Sequence, residues 1–255
     1  MRVDKLEVKI FGSRDEMGQA AALDIREKIL ELLVRKQEIN IVFAAAPSQN
    51  EVLEQLTAFD DIDWSRISAY HMDEYIGLSD EHLGKSFGYF LDQHVFSKVP
   101  FKCVHHINGK ADDPNEECNR YTELLKSNPT DIVIMGIGEN GHIAFNDPWV
   151  ADFSDTETVK VVELDHACRQ QQVNDGCFRT LEDVPTHAIT LTCPTLFSGK
   201  NLFCIVPAKT KAKAVKRTLC GDISEICPAT ILRKHESAVL YLDGDSSSLL
   251  QEGKK

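Results

Sequence analysis

The sequence predicts an α/β fold, with a mostly parallel sheet covered by helices on both faces. Short apolar runs typical of strands alternate with helical patterns along nearly the whole chain. Residues 39–46, INIVFAAA, are almost continuously apolar, as expected of a strand buried on both faces. No repeat or low-complexity linker divides the 255 residues. We therefore predict a single domain over residues 1–245 and a polar C-terminal tail over residues 246–255.

The N-terminal elements show this alternation clearly. Apolar and charged residues alternate over residues 6–10, which predicts a strand with one buried face. Ser13 and Glu16 then form a capping box, and apolar residues at helical spacing follow as far as residue 32. After the strand at 39–46, a second helix is predicted to run roughly to residue 59.

The rest of the chain continues the pattern. The predicted strands are 66–72, 131–137, 159–164, 187–193, 201–206 and 238–242, and the predicted helices are 86–95, 115–126 and 209–219. In open parallel sheets, ligands bind beyond the carboxyl ends of the strands. Functional residues are therefore expected directly after strands.

Composition excludes several classes of partner. The chain has 28 Lys and Arg against 40 Asp and Glu, a net charge of −12, which disfavours nucleic acid and anionic membranes but permits a small anionic substrate. No apolar run approaches the ~20 residues of a membrane span, and the first residues lack an apolar signal segment, so we expect a cytoplasmic location. The eight cysteines form no C-x-x-C pair and are expected to be reduced, and no metal site is predicted.

Two segments that follow predicted strands carry candidate chemistry. Residues 71–78, HMDEYIGL, place two adjacent carboxylates at a strand end, where one of them can act as a proton-transfer base. Residues 136–148, GIGENGHIAFNDP, combine three glycines with a histidine that can move protons near neutral pH. The glycines have the spacing of a dinucleotide fingerprint, but Pro148 follows too soon for the long helix that NAD binding requires.

Together these segments resemble the glucosamine-6-phosphate deaminase family, which includes galactosamine-6-phosphate isomerases and, more distantly, 6-phosphogluconolactonases. The similarity runs from about residue 39 to about residue 242. It implies a Rossmann-like three-layer sandwich that needs no cofactor. It also implies that glucosamine-6-phosphate or galactosamine-6-phosphate is converted to a ketose 6-phosphate and ammonia by ring opening and enediol-type proton transfer. Such relatives are often homo-oligomers, so that assembly is an open expectation.

The resemblance also implies catalytic roles. Asp73 matches the base that moves the C2 proton, and His142 matches the acid/base that opens the ring. Asn140 and Asp147 flank this histidine, where the family usually has Asp and Glu. Because Asn140 carries no charge to stabilise an imidazolium, the departure predicts weakened deamination or a different reaction.

The remaining candidates are substrate or phosphate contacts. The family's glycine-rich phosphate turn is replaced by Ala44-Ala45-Ala46-Pro47-Ser48-Gln49-Asn50, whose helix start can still bind an anion. The candidate contacts are Ala45, Ala46, Ser48, Gln49, Glu74, Gly138, Gly141, Arg169 and Lys211. Arg169 matches the family's arginine only loosely, and the glutamine run that follows it offers alternative contacts to sugar hydroxyls. Two other functions stay open at this point: a lactonase on the same scaffold, and a sugar-phosphate sensor without catalysis.

Overall fold

The computed structural model describes residues 1–174 and 176–253. Its strands are β1 (Arg2–Val3), β2 (Leu6–Ile10), β3 (Ile39–Phe43), β4 (Ile67–His71), β5 (Asp73–Tyr75), β6 (Cys103–His105), β7 (Ile132–Met135), β8 (Val159–Glu163), β9 (His187–Leu191), β10 (Asn201–Val206) and β11 (Ala238–Leu242). Its α-helices are α1 (Arg14–Arg35), α2 (Asn50–Thr57), α3 (Phe87–Leu91), α4 (Pro114–Ser127), α5 (His166–Asn174), α6 (Cys193–Phe197) and α7 (Ala212–Cys220). A π-helix continues α3 over Asp92–Phe96, and 3₁₀ helices cover Pro47–Gln49, Trp64–Arg66, Asp80–Lys85, Lys209–Lys211, Pro228–Lys234 and Ser248–Gly253.

The main sheet determines where a ligand can bind. Within the described residues it has eight strands in the order β1-β2-β11-β10-β7-β3-β4-β6, and every pair except β1–β2 is parallel. β4 and β6 lie on one side of β3, and β7, β10 and β11 lie on the other. The reversal of strand order between β3 and β7 opens a crevice at their carboxyl ends.

A second sheet departs from the sequence-based expectation. β5, β9 and β8 pair antiparallel in that order, apart from the main sheet. The strands predicted at 159–164 and 187–193 do form, but they join this small sheet instead of the parallel one. Alternation of apolar residues reports which side of a strand is buried and does not report its partner. Only Met72 separates β4 from β5, so the chain crosses from one sheet to the other within one residue.

Helices cover both faces of the main sheet. The core on one face is built from α1, α2 and the segment around α3, and its sheet residues include Ile41, Phe43 and Ile134. The opposite core contains residues of α4, α6, α7 and the small sheet, against Val42 and Val133. Neighbouring residues of a strand therefore enter opposite cores, as the period of two requires. This arrangement confirms the predicted α/β fold with a mostly parallel central sheet.

The start of α1 follows the predicted pattern, whereas the C-terminal end of the chain differs from it. Ser13 caps α1 by accepting a hydrogen bond from the Glu16 N–H at 3.2 Å, and Glu16 accepts one from the Gly12 N–H at 3.0 Å. At the other end, Ser246 and Ser247 are buried, so packed structure extends into the first residues of the predicted polar tail. The last two residues of that predicted tail, 254 and 255, lie outside the described residues. In the described chain, the helices are all too short or too polar to cross a bilayer.

Candidate active site

A cavity of about 440 Å³ lies at the carboxyl ends of the central strands. It is bordered by segments that follow β3, β4, β7 and β10 and by parts of α1, α3 and α5. Asp73 and His142, which sequence reasoning chose as base and acid, both line it. The two side chains come from different strand ends, so the fold brings together groups that are 69 positions apart in the sequence.

Asp73 is held at the junction of the two sheets. Its backbone carbonyl accepts a hydrogen bond from His71 Nδ1 at 2.9 Å, and His71 Nε2 accepts one from the Ile107 N–H at 2.8 Å. These two bonds define the tautomer of His71. Burial lowers the pKa of His71 to about 3, so the ring is a neutral, fixed support. Asp73 itself is 7% exposed, and burial together with the charge of Glu74 raises the pKa of its carboxyl well above the usual value.

Glu74 was predicted as a substrate contact, but its carboxylate has a structural role. It accepts hydrogen bonds from the backbone N–H groups of Tyr75 at 2.9 Å, Phe87 at 3.1 Å and Gly88 at 2.8 Å. It borders a neighbouring groove and does not line the cavity that holds Asp73. The reason is the period of a strand: consecutive side chains of β5 point to opposite faces. Burial raises the pKa of Glu74 to about 7, although these three N–H groups favour the ionised form.

The loop after β7 holds His142 in a glycine-rich turn. The Gly138 N–H donates to the His142 carbonyl at 2.9 Å, and the Gly141 N–H donates to the Gly138 carbonyl at 3.0 Å. A Cβ at Gly138 would lie 2.2 Å from the imidazole, so only glycine lets the ring pack there. Gly138 lines the cavity as predicted, whereas Gly141 has a φ of 96° and packs against Cys227 instead. Gly141 therefore shapes the loop without bordering the cavity.

His142, Asp147 and Asn140 form a connected network. His142 Nδ1 donates to Asp147 Oδ1 at 3.1 Å, and Asn140 Nδ2 donates to the same oxygen at 2.7 Å. Asn140 Oδ1 also accepts from the His142 N–H at 2.9 Å, so it fixes the backbone of the histidine. Burial alone would raise the pKa of Asp147, but the hydrogen bonds and charge of His142 and the Asn140 amide hold that pKa below its usual value. A carboxylate therefore faces the imidazole despite Asn140.

Cys168 completes this network as a group that sequence reasoning assigned only to packing. Burial and the adjacent Asp147 carboxylate raise the pKa of its thiol, so the sulfur stays protonated beside the carboxylate. Donor atoms of Cys168, His142 and Asp147 all lie within 4.8 Å of one another. A thiol, an imidazole and a carboxylate are also ligands that Zn²⁺ accepts, so these are the described residues best placed to hold a metal. Their mutual hydrogen bonding accounts for the cluster without one.

The turn after β3 forms another part of the cavity wall. Ala45, Ala46 and Ser48, which the sequence suggested as substrate or phosphate contacts, line the cavity, and Lys211 lines it from the segment after β10. Gln49 does not, because it is fully buried and its Nε2 donates to the carbonyl oxygen of Ile205 at 3.3 Å. This corrects the sequence-based assignment of Gln49. Its side chain hydrogen-bonds the end of β10, and the residues of the turn that precede it line the cavity instead.

Ala208, which also lines the cavity, has an unusual backbone conformation. Its φ is 80° and its ψ is 147°, a region that glycine favours over residues with a Cβ. Its N–H donates to Asp243 Oδ2 at 3.0 Å, and that contact helps to hold the conformation. The turn leads directly into Lys209–Lys211 and places Lys211 at the cavity.

Arg169 is a correction to the sequence analysis. Its Nη2 donates to the carbonyl oxygens of Leu181 at 2.6 Å and Val184 at 2.9 Å, and it is not among the residues that line the cavity. The guanidinium thereby supplies hydrogen-bond donors to backbone carbonyl groups of the loop after α5. From the same helix, Gln171 and Gln172 do line the cavity and are largely buried, which agrees with the alternative that the glutamine run contacts the ligand.

Two cationic residues of the cavity were missed. Arg14 lines it from the first turn of α1, and Lys85 lines it from the 3₁₀ helix before α3. Arg14 follows β2 by only four residues, so the rule that located the other candidates applied to it, whereas Lys85 lies ten residues beyond β5. Arg14 also lies inside a capping box, and that pattern is fully explained by the start of a helix.

Residues 12–241 match the family described as glucosamine-6-phosphate isomerases/6-phosphogluconolactonase. The chain belongs to this family. A glucosamine-6-phosphate deaminase of Bacillus cereus is 37% identical over 247 residues, covering 97% of this chain and 90% of that protein. One from Bacillus cytotoxicus is 41% identical over 191 residues, covering 75% of this chain and 71% of that protein. The resemblance drawn from the two sequence segments is confirmed.

Solved structures of the family have the same architecture. A protein described as a monomeric glucosamine-6-phosphate deaminase superposes with a TM-score of 0.85 at 30% identity, covering 95% of this chain and 99% of that one. A 6-phosphogluconolactonase of Thermotoga maritima superposes with a TM-score of 0.74 at 21% identity, covering 94% and 100%. The second likeness concerns the fold alone.

Proposed function

We propose that this enzyme converts an amino-sugar 6-phosphate, of the glucosamine-6-phosphate type, to a ketose 6-phosphate and ammonia. The observation that carries the proposal is the convergence of Asp73 and His142 on one cavity that is also lined by Lys211 and by the helix start at Pro47 and Ser48. A carboxylate is required to move a carbon-bound proton, and an imidazole is suited to proton transfer at the ring oxygen. The relatives with high coverage are named glucosamine-6-phosphate deaminases.

The proposed reaction begins with ring opening. His142 transfers a proton to the ring oxygen while the C1 hydroxyl loses its proton, which gives the open-chain aldehyde. Asp147 keeps the imidazole oriented through the 3.1 Å hydrogen bond to Nδ1, and its negative charge faces the positive charge that develops on the ring during proton transfer. Because that charge comes from Asp147, the neutral Asn140 does not leave the ring without an anionic partner. The expectation of weakened deamination, which the sequence suggested because Asn140 is neutral, therefore loses part of its support.

Proton transfer between carbons follows. Asp73 removes the proton from C2 and returns it to C1, through an enol-type intermediate with nitrogen on C2. The resulting C2 imine takes up one water molecule and releases ammonia, which leaves the C2 ketone. A carboxyl whose pKa is raised by burial is a stronger base than one in water, which suits removal of a weakly acidic carbon-bound proton.

An ammonia-release assay tests the proposal. The enzyme is incubated with glucosamine-6-phosphate and, separately, with galactosamine-6-phosphate, since the configuration at C4 is open. We expect turnover of at least one substrate and a loss of about 10²- to 10⁴-fold in Asp73→Asn and in His142→Gln. The exposed Asp60→Asn and His187→Gln are matched controls and should retain activity.

The alternatives predict different results. Acid release from 6-phosphogluconolactone without ammonia release from either amino sugar would replace the proposal with a lactonase. Ligand-induced thermal stabilisation without any turnover would replace it with a sensor. The cytoplasmic location, the homo-oligomer and the assignment of residues 1–245 to one domain stay predictions.

A further inference from the structure

Arg14 contributes a positive charge to the cavity from the first turn of α1, and it is a residue that sequence reasoning did not select as a ligand contact. It is the first residue of α1 and lines the cavity beside Pro47 and Ser48. Its Nε donates to Glu51 Oε1 at 2.6 Å, and its Nη2 donates to the Pro47 carbonyl. A guanidinium has five N–H donors, and two of them serve these protein acceptors in the described chain. The side chain is therefore fixed in place while other donors stay available to a ligand.

The packing of α1 on α2 brings Arg14 to this position. A Cβ added at Gly18 would lie only 2.5 Å from the Cβ of Glu51, so the two helices approach more closely there than a larger residue permits. The contact lies one turn beyond Arg14, and it sets the start of α1 against the start of α2. Glycine in a helix interior lowers stability relative to alanine. The close approach of the two helices explains why a glycine nevertheless occupies position 18.

Stabilisation of the helix does not explain the charge of Arg14. The N-terminus of a helix carries a partial positive charge, so a cation in its first turn is unfavourable. Asp15 and Glu16 in the same turn are the residues that suit this end of the helix. The ion pair with Glu51 is partly solvent-exposed, and pairs of that kind contribute little to stability. A contact with an anion is a better account of the residue.

The turn after β3 needs such a cation, because its backbone offers few donors. Pro47 has no N–H, the Ala44 N–H donates to the Ile134 carbonyl, and the Gln49 N–H donates to the Ala46 carbonyl. The turn therefore offers a phosphate fewer N–H groups than a glycine-rich turn can. A phosphate monoester carries a charge of about −1.5 to −2 at pH 7, and cationic side chains have to supply what the turn lacks.

We propose that Arg14 is a specificity-determining residue that binds the phosphate group of the substrate together with Lys211. The assignment rests on the proposed function, in which the ligand carries a terminal phosphate. The guanidinium lies on the α1 side of the turn and Lys211 on the β10 side, so the phosphate is held between them. Its planar fork offers two parallel N–H groups to two phosphate oxygens, which an ammonium group cannot do.

Steady-state kinetics of Arg14→Gln and Arg14→Lys test the proposal. With the amino-sugar 6-phosphate, we expect KM to rise about 10- to 100-fold in Arg14→Gln, because a charge-assisted hydrogen bond is lost, while kcat changes less than about threefold. Arg14→Lys keeps the charge but loses the fork, so its KM should lie between wild type and Arg14→Gln. Arg35→Gln, an exposed change at the other end of α1, is the matched control and should leave KM unchanged.

The variant Glu51→Gln distinguishes a direct contact between Arg14 and the ligand from a purely structural role of Arg14 between α1 and α2. It keeps Arg14 but removes the charge of its protein partner, so KM should change less than in Arg14→Gln. An equal rise in KM in Glu51→Gln would overturn the proposal, because the helix contact and not the ligand contact would then account for the effect.

Binding of inorganic phosphate, measured by calorimetry, requires no turnover. We expect phosphate to bind wild type and to bind Arg14→Gln about tenfold or more weakly. If wild type releases no ammonia but phosphate binding still depends on Arg14, the proposed reaction fails and the anion site stands. If ammonia is released and Arg14→Gln leaves both KM and phosphate affinity unchanged, the assignment of Arg14 is overturned and the reaction stands. Failure of wild type to bind phosphate at millimolar concentration overturns the assignment as well.

Discussion

The hydrogen-bonded pair of His142 and Asp147 allows a quantitative prediction. Asp147→Asn keeps the size of the side chain and an oxygen that can accept from Asn140, but it removes the negative charge opposite the imidazole. The Nδ1–Oδ1 distance is 3.1 Å, and the two side chains are only 10% and 1% exposed. At an effective dielectric constant of about 20, an ion pair at this distance has a Coulomb energy of about 5 kcal/mol. Desolvation of the pair offsets part of that energy.

We therefore expect kcat/KM of Asp147→Asn to fall by about 10²- to 10⁴-fold, the upper figure corresponding to the full Coulomb energy. The ammonia-release assay with the amino-sugar 6-phosphate measures this directly. Asp147→Glu, which keeps the charge, should recover a large part of the activity. The exposed Asp152→Asn, in the same loop, is the control for a generic loss of charge. Activity of Asp147→Asn within about threefold of wild type would refute the idea that this carboxylate stabilises a charged imidazole.

Two further predictions concern stability. Ala208→Gly should raise the free energy of unfolding by about 1 kcal/mol, because relief of the strain at a positive φ exceeds the entropy that glycine adds to the unfolded chain. Urea denaturation measures this change, and a lower stability of the variant would contradict the assigned strain. Glu74 has a pKa raised from 4.5 to about 7 by burial, so its contribution to stability is complete below pH 4.5 and is lost as pH rises through 7. The loss is about 3 kcal/mol over that range. Urea denaturation from pH 4.5 to 8 should show a flatter pH dependence in Glu74→Gln, and an unchanged slope would exclude Glu74 as its source.

The sequence was sufficient where a local pattern determines the outcome. The run at 39–46 gave the central strand β3, and the rule that ligands bind beyond strand ends located Asp73 and His142 in one cavity. The capping box at Ser13 gave the start of α1. Each of these features depends on residues close together in the chain, so it can be recognised without knowledge of the tertiary contacts.

Features that depend on tertiary packing could not be predicted in this way. Nothing in the sequence of β8 and β9 states that they pair with β5 and not with the parallel sheet. Arg169 is basic and near the expected position, but only the fold shows that its guanidinium binds the carbonyls of the loop beyond α5. Arg14 is the converse case: its local pattern is that of a helix start, and only the fold shows that it lines the cavity beside the turn after β3. A residue type and a local pattern do not contain that information.

The crossing of the chain between two sheets has a mechanical consequence. Asp73 begins the small sheet, and the loop of His142 is fastened to the same sheet by the Phe145 N–H on Thr190 Oγ1 at 3.1 Å. Lys211 instead follows β10, a strand of the large sheet. Base and imidazole therefore share a support in the small sheet, whereas the anchoring cation is supported by the large one. The packing between the two sheets thus sets the distance from the proton-exchanging groups to the phosphate anchor, and so the length of sugar that the cavity accepts.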